Sequence, residues 1–466
     1  MANFFENRNN TTISIPRTEE ENNIIFYVIE MQVGSINWTV RHRYSDFYDL
    51  HIKLVSDHGV PKDTIPPKKI IRKKCPFFIS QRREGLEIYM KTVLNYLQRA
   101  LPLELALFLN FQLYEITYIL QDLALKFFLK GDTLLHCAQW IIMSPLQLHA
   151  LSERLKQPCP ETVIDKRRDF SHVLDVCSQT HKVYVIGSDE PYETSNVIPN
   201  SLTFECSSFK ALKQLRITNF PLKNITQLGT LRETLQTLKI ENTNVQNISQ
   251  VLLCDSIHKV PNSSTYQIWT NLTELYLSDN QLTSIDETVK LMPKLKILNC
   301  NQNQLNDIKN LVHLSNLSYV YLSSNLFYLT DNLHTKLGNI LHLDLSANYI
   351  KTLQGFSKLY SLEFLDISSN QICSLDEVKH IGNLPCLENL RLTGNPVSVI
   401  VDYRVKVLEQ FGPRASELCL DNEMPSQTEL DTICVLQAIR IVKEGRTPTF
   451  DGTENPSLFM NNNSTP

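Results

Sequence analysis

From Leu272 onward the chain repeats itself. The frame Leu272-x-x-Leu275-x-Leu277-x-x-Asn280-x-Leu282 returns at Leu295 to Leu305, Leu317 to Asn325, Ile340 to Ile350, Leu362 to Ile372 and Leu387 to Asn395. Its asparagines stand at 280, 303, 325, 348, 370 and 395, spacings of 23, 22, 23, 22 and 25 residues. A unit this short cannot bury its own apolar face, so each copy must stack on the next to build one continuous core. The asparagine belongs at the turn, where its amide satisfies backbone groups that stacking removes from water. Two weaker copies come first: Leu212, Leu215 and Ile217 with Phe220 in the asparagine place, then Leu235, Leu238 and Ile240 with Thr243. Between them and the regular set, residues 252–266 read as an inserted loop with Pro261.

The spacing resembles that of leucine-rich repeats, which implies an α/β solenoid with one short parallel strand and one return segment per copy. After the last copy, Asn395-Pro396, Asp402-Tyr403-Arg404, Val407-Leu408 and Leu418-Cys419-Leu420-Asp421 resemble the C-terminal cap of such arrays. A cap is a physical need, since the last strand otherwise shows its apolar face to water. Residues between the strand leucines face the concave side. Tyr276, Tyr319, Tyr321, His342, Asp344, Phe364, Asp366 and Arg391 are the candidates there for protein binding. Rigid rings supply contact area at little entropic cost.

The first hundred residues have a different grammar. Ile24 to Val33 and Ile36 to Val40 are β-branched and aromatic runs around Gly34-Ser35, preceded by Ile13 and Ile15, and they predict an antiparallel meander. It leads into Arg41-His42-Arg43-Tyr44-Ser45-Asp46-Phe47 and a helix with Ser45 as N-cap, Phe47, Leu50, His51, Leu54 and Val55 on one stripe, and a stop at Gly59 and Pro61. Ile65-Pro66-Pro67-Lys68-Lys69 is extended, because proline disfavours helix at the residue before it. A second helix is predicted from about Ser80 to Arg99, with Phe77, Phe78 and Ile79 packed inward. Net charge is only -4, yet positions 62 to 99 carry ten basic residues against three acidic ones, a local field suited to an anionic partner.

Arg-x-Arg-Tyr-Ser-Asp-Phe, a Pro-Pro-Lys loop and Arg82-Arg83-Glu84-Gly85-Leu86-Glu87-Ile88-Tyr89, in that order, resemble a phox-homology (PX) phosphoinositide-binding domain. The resemblance implies that Arg43 contacts the 3-phosphate of phosphatidylinositol 3-phosphate and Tyr44 stacks on the inositol ring. It implies Lys68 at the 1-phosphate, with Lys69 an alternative, and Arg82 at the 4- and 5-hydroxyls. A phosphomonoester suits this set, an arginine fork giving direction and a lysine a point charge. The competing reading pairs Arg43 with Asp46 or Glu87 as an ordinary ion pair. Lys69, Ile70, Ile71, Arg72, Lys73 and Lys74 form the expected membrane-contact loop, where each cation near an anionic leaflet contributes about 1 kcal/mol.

Together the signals predict an α+β multidomain chain. A PX domain with a three-stranded antiparallel sheet plus helices spans 11–113, and a helical connector with one strand at Lys182 to Gly187 spans 114–207. The repeats span 208–398, a cap and helix 399–443, and a disordered tail 444–466. The combination resembles scaffold proteins that join these two modules. That resemblance implies peripheral attachment to early or recycling endosomes, with integrin tails, Rac-pathway kinases and small GTPases as partners; longer members continue into a coiled coil. No signal-like or membrane-spanning apolar run is present, and the chain reads as cytoplasmic. Eleven cysteines without a C-x-x-C pair argue against a disulfide framework or zinc site. No cofactor, metal, nucleic acid or catalysis is expected: Gly-Lys-Ser/Thr, G-x-S-x-G and H-E-x-x-H motifs are missing, and after His136-Cys137 the arginine of a cysteine-phosphatase loop is replaced by Met143.

Overall fold

The computed structural model describes residues 1–68, 75–97, 101–137, 139–158, 165–253 and 268–443. The expected membrane-contact residues 69–74, the inserted loop apart from its first residues, and the tail lie outside the described residues. The chain divides into two compact units, one of residues 1–304 and 309–317, the other of 305–308 and everything from Ser318.

In the first unit, β1 (Thr11–Glu21), β2 (Ile24–Val33) and β3 (Ile36–Arg43) form the antiparallel sheet β1-β2-β3. Asn22 and Asn23 both take positive φ in the first hairpin, as a two-residue turn matched to strand twist requires, and Gly34 does so in the second. The β1–β2 register slips between Ser14 and Arg17, around Pro16, which has no N–H to give. Helix α2 (Pro76–Tyr96) repairs the slip: Glu87 accepts the Ile15 N–H at 2.9 Å and Arg83 donates to the Ile15 carbonyl at 2.6 Å. Helix α1 (Tyr44–His58) buries Phe47, Leu50, His51 and Leu54 and stops at left-handed Gly59. Its N-cap is Arg43 rather than the expected Ser45, because the Asp46 carboxylate reaches back to the Arg43 N–H.

Two differences at α2 concern its start. It begins at Pro76, four residues before the prediction, since proline is well placed in a first turn that needs no N–H. Phe77, expected inside, is 77% exposed, while Phe78 is half-buried. Short helices α3 (Leu103–Phe108) and α4 (Phe111–Tyr114) close the module. Its core centres on Trp38, whose indole donates to the Leu109 carbonyl at 2.8 Å between the rings of Phe111 and Tyr114.

Residues 114–207 contain helices, and also strands that begin the second sheet. After α5 (Ile116–His136) come β4 (Ile141–Met143), α6 (Pro145–Leu155), α7 (Ser171–Gln179) and β5 (Lys182–Ile186). β5 pairs in parallel with β4 on one side and with β7 (Gln214–Thr218) on the other; β6 (Phe204–Glu205) pairs with β8 (Ile225–Thr226). β9 (Thr237–Glu241), the short helix α8 (Ser249–Leu252), β10 (Glu274–Tyr276) and β11 (Ile297–Asn299) follow, with β7–β9–β10–β11 in parallel. The segment read as a connector thus supplies the amphipathic helices and strands that cover the open end of the first weak repeat.

The second unit runs β12 (Tyr319–Tyr321), α9 (Leu333–Leu337), β13 (His342–Asp344), β14 (Phe364–Asp366), α10 (Leu375–Gly382), β15 (Asn389–Arg391), α11 (Tyr403–Glu409), β16 (Cys419–Leu420) and α12 (Gln427–Lys443). Its strands pair in parallel in chain order. The asparagine ladder works as its chemistry demands. Asn348 donates to the carbonyls of Leu322, Leu345 and Ser346, each at 3.0 Å, and accepts the Phe327 N–H at 3.1 Å. Asn370 and Asn395 repeat the pattern one copy further on. The residue before each ladder asparagine has positive φ, from Asp279 and Gln302 through Ser324, Ala347 and Ser369 to Gly394. At the end the Asp421 side chain stands in for the strand carbonyl that interior copies supply, receiving the Leu392 N–H at 2.7 Å and the Thr393 N–H at 3.0 Å.

Candidate phosphoinositide site and repeat face

The end of β3 and the proline loop meet over α2. The Tyr44 hydroxyl donates to the Pro66 carbonyl at 2.6 Å, two residues before Lys68, so strand end and loop are tied at one point. Gly85 makes room for that loop: a Cβ there would lie 2.8 Å from Pro66 Cγ. Arg82 enters from α2 with its guanidinium 4.3 Å from the Tyr44 ring centroid and 4.2 Å from that of Phe78. Its charge also reaches Tyr27, a phenol whose pKa burial raises and Arg82 partly lowers. Its Nε and Nη2 are buried and have no acceptor among the described residues. Buried guanidinium donors left unpaired are costly, and an arriving acceptor would remove that cost.

Arg43 sits one residue before Tyr44 and is 57% exposed. Its Nε lies 3.0 Å from Asp46 Oδ1, so the ion pair read as the competing role of Arg43 is present. Burial pushes the Asp46 carboxyl up, but hydrogen bonds from the Arg43 side chain and backbone outweigh it and hold the pKa below the ordinary value. One guanidinium edge facing Asp46 pre-aims the fork, at the modest energy of an exposed pair. Lys68 is exposed, with Nζ 5.7 Å from the Tyr48 ring. Arg41 is separate from this group, paired with Glu19 at 3.1 Å and Glu21 at 2.7 Å. His42 stacks on Phe108 and bonds its carbonyl at 2.6 Å; burial lowers its pKa, so it is neutral near pH 7.

On the repeat face the predicted residues of the second unit form a row. The His342 and Phe364 rings stack at 4.0 Å, Tyr321 and Tyr319 lie 4.9 and 5.7 Å from His342, and Arg391 sits 5.0 Å over Phe364. Burial holds the His342 pKa below its usual value, outweighing the pull of Asp344. The acids differ from expectation. Asp344 and Asp366 turn one oxygen each to Ser346 and Ser368, and Asp366 is largely buried with its second oxygen 3.1 Å from Arg391. They organise the row instead of standing free beside it. In the first unit Tyr276 carries Lys239 4.0 Å over its ring.

Two features were not legible in the sequence, the packing of Arg82 between two rings and the buried Glu115. The Arg82–Tyr44–Phe78 sandwich joins positions 38 residues apart and has no local signature. Glu115 is fully buried, caps α5 through Thr117 and Tyr118 N–H at 2.7 and 3.1 Å, and accepts the Phe4 N–H at 3.2 Å. Burial raises its pKa to about 7 against those three hydrogen bonds. Asp421, read in the sequence as part of the cap, directly follows Leu420, which pairs with Leu390 in the last rung.

Comparison with known proteins fits these two architectures. Residues 31–112 match the PX domain family and residues 270–313 match leucine-rich repeats (2 copies). Human serine/threonine-protein kinase 11-interacting protein is 27% identical over 232 residues, 48% of this chain and 21% of that protein. Human sorting nexin-22 is 33% identical over 95 residues, covering 20% of this chain and 47% of the relative. The Arabidopsis thaliana protein phosphatase 1 regulatory inhibitor subunit PPP1R7 homolog is 34% identical over 132 residues, 27% of this chain and 39% of that one. The chain spans about a fifth of the length of the kinase 11-interacting relatives, with 21% of the human and 23% of the chicken protein matched. An N-terminal PX domain followed by a parallel-sheet repeat region is therefore the architecture, of the phosphoinositide-binding and protein-interaction kind. No described helix is long and apolar enough to cross a membrane.

Proposed function

We propose that this chain is a phosphatidylinositol 3-phosphate-binding endosomal scaffold that recruits signalling proteins through its repeat face, on the plan of nischarin. The observation that carries the reading is Arg82, whose buried Nε and Nη2 lie beside the Tyr44 ring and lack an acceptor among the described residues. A headgroup bound there meets Arg43 at its 3-phosphate, Lys68 at its 1-phosphate and Arg82 at its ring hydroxyls, with charge-assisted bonds replacing water. The Arg82 cation already covers one face of Tyr44, which leaves the other face or the edge for the inositol ring. Lys69, Ile70, Ile71, Arg72, Lys73 and Lys74 contact the bilayer beside it.

The ring row from Tyr319 to Arg391 is the proposed gathering surface, with integrin tails, Rac-pathway kinases and small GTPases as the partners that the nischarin plan supplies. A relative named for interaction with serine/threonine-protein kinase 11 supports the adaptor part. A second reading, a regulatory subunit of a protein phosphatase, has its support in the likeness to the PPP1R7 homolog. Flotation with vesicles that differ only in headgroup separates the two. The scaffold reading expects binding that requires a 3-phosphate; no binding to any phosphoinositide, together with co-purification of a phosphatase, would favour the second.

A further inference from the structure

An edge strand leaves a row of unpaired N–H and C=O groups, and proteins cover such rows or blunt them. In the PX sheet the outer edge of β3 is covered by residue 192–197, a stretch far away in sequence. Asn196 N–H donates to the Asn37 carbonyl at 3.1 Å, and its side chain accepts the Asn37 N–H at 3.0 Å and donates to the Ser35 carbonyl at 2.9 Å. The Thr194 hydroxyl donates to the Thr39 carbonyl at 2.7 Å and lies 3.3 Å from the Thr39 N–H. Residues 35, 37 and 39 are the alternate positions whose backbone groups point off the sheet, and Trp38 bridges Ser195 in antiparallel sense. The fit includes side chains: Tyr192 packs against the PX core with its ring 6.1 Å from that of Tyr114, and the Tyr114 hydroxyl is 3.1 Å from Thr194 Oγ1.

The same stretch is rooted in the repeat sheet. It leaves from the end of β5, where the Gly187 N–H bonds the Thr218 carbonyl of β7 at 2.9 Å. Asn200 closes its base, donating to Asp189 and to the Asn219 carbonyl, both at 2.9 Å. Glu193 turns it with φ of 52°, and Tyr192 N–H reaches back to the Val197 carbonyl at 2.7 Å. A linker between independent modules would be solvated and free to turn; this one is bonded at both ends.

We propose that residues 192–197 are a built-in fourth rung of the PX sheet, a strap that makes the PX module and the first strands of the repeat sheet one cooperative unit. The strand that ends in Arg43 and leads into Tyr44 is thereby fixed to the repeat sheet, and its edge is closed to strands from other proteins. This stands on the backbone pairing and is independent of which lipid the pocket takes.

Hydrogen exchange on the full chain tests it, comparing wild type with a Thr194→Ala/Asn196→Ala double variant. Loss of the side-chain bonds should speed exchange of the Asn37 and Thr39 amides about 30-fold, with the β1-facing amides at Glu30 and Gln32 unchanged. Thr194→Val, nearly isosteric and without the hydroxyl, should speed Thr39 alone and keeps the test decisive if the double variant does not fold. Unchanged rates at Asn37 and Thr39 in a folded double variant, or at Thr39 in Thr194→Val, would overturn the proposal.

Discussion

Asn348 shows how little freedom a single side chain has in this array. Its amide serves three carbonyls and one N–H that stacking has removed from water. Asn348→Ala leaves those groups without partners, and a loss of about 3 kcal/mol is expected in urea unfolding. Asn348→Asp keeps the acceptor and loses the donors, so it should fall nearly as far. Glu115 is governed by burial instead, with a pKa raised to about 7 from 4.5. A folded-state pKa above the unfolded value means that its contribution is fully present below pH 4.5 and is lost as pH rises through 7. Glu115→Gln keeps an acceptor without the charge. Its melting temperature should match wild type at pH 4.5 and exceed it increasingly toward pH 8; parallel curves would contradict the assignment. The asparagines could be read from spacing alone, because each repeat restates the same requirement. Glu115 could not, since nothing local says that Phe4 returns to meet it.

At the scale of elements, legibility followed the range of the forces. The meander, the helix stop at Gly59 and the repeat strands are set by alternation, turn residues and spacing, all local, and they stand where expected. Strand β4 has only the three residues Ile141–Met143, too short for a period to register, so its place in a sheet was hidden. Helix α2 illustrates an element tuned to its neighbour. Glycine at position 85 costs helix stability, about 1 kcal/mol relative to alanine, yet a Cβ there would meet Pro66. Gly85→Ala should therefore push the proline loop away from Tyr44 and weaken headgroup binding about tenfold, with little change in melting temperature. Binding equal to wild type would show that the loop does not need this contact. In the candidate site, the linked motifs that carry Arg43, Tyr44, Lys68 and Arg82 are visible in the sequence. Their actual contacts, Arg43 on Asp46 and Arg82 over Tyr44, depend on tertiary approach.

For the whole molecule the proposed function divides the labour between two modules: the PX domain for a phosphorylated headgroup, the ring-lined repeat sheet for proteins. The ring row predicts that Phe364→Ala, which removes the ring between His342 and Arg391, weakens capture of a repeat-face partner while vesicle binding is unchanged. Flotation and partner pull-down on the same preparation check this, and loss of both activities would point to a shared structural collapse. The claim on which the account turns is that Arg43 and Arg82 hold a 3-phosphorylated inositol. Calorimetric titration of soluble short-chain phosphatidylinositol 3-phosphate into wild type and Arg43→Ala measures it directly. The account predicts one-to-one binding by wild type and an affinity at least tenfold lower in the variant at unchanged melting temperature. Equal affinities, or wild-type binding that ignores the 3-phosphate, would contradict it.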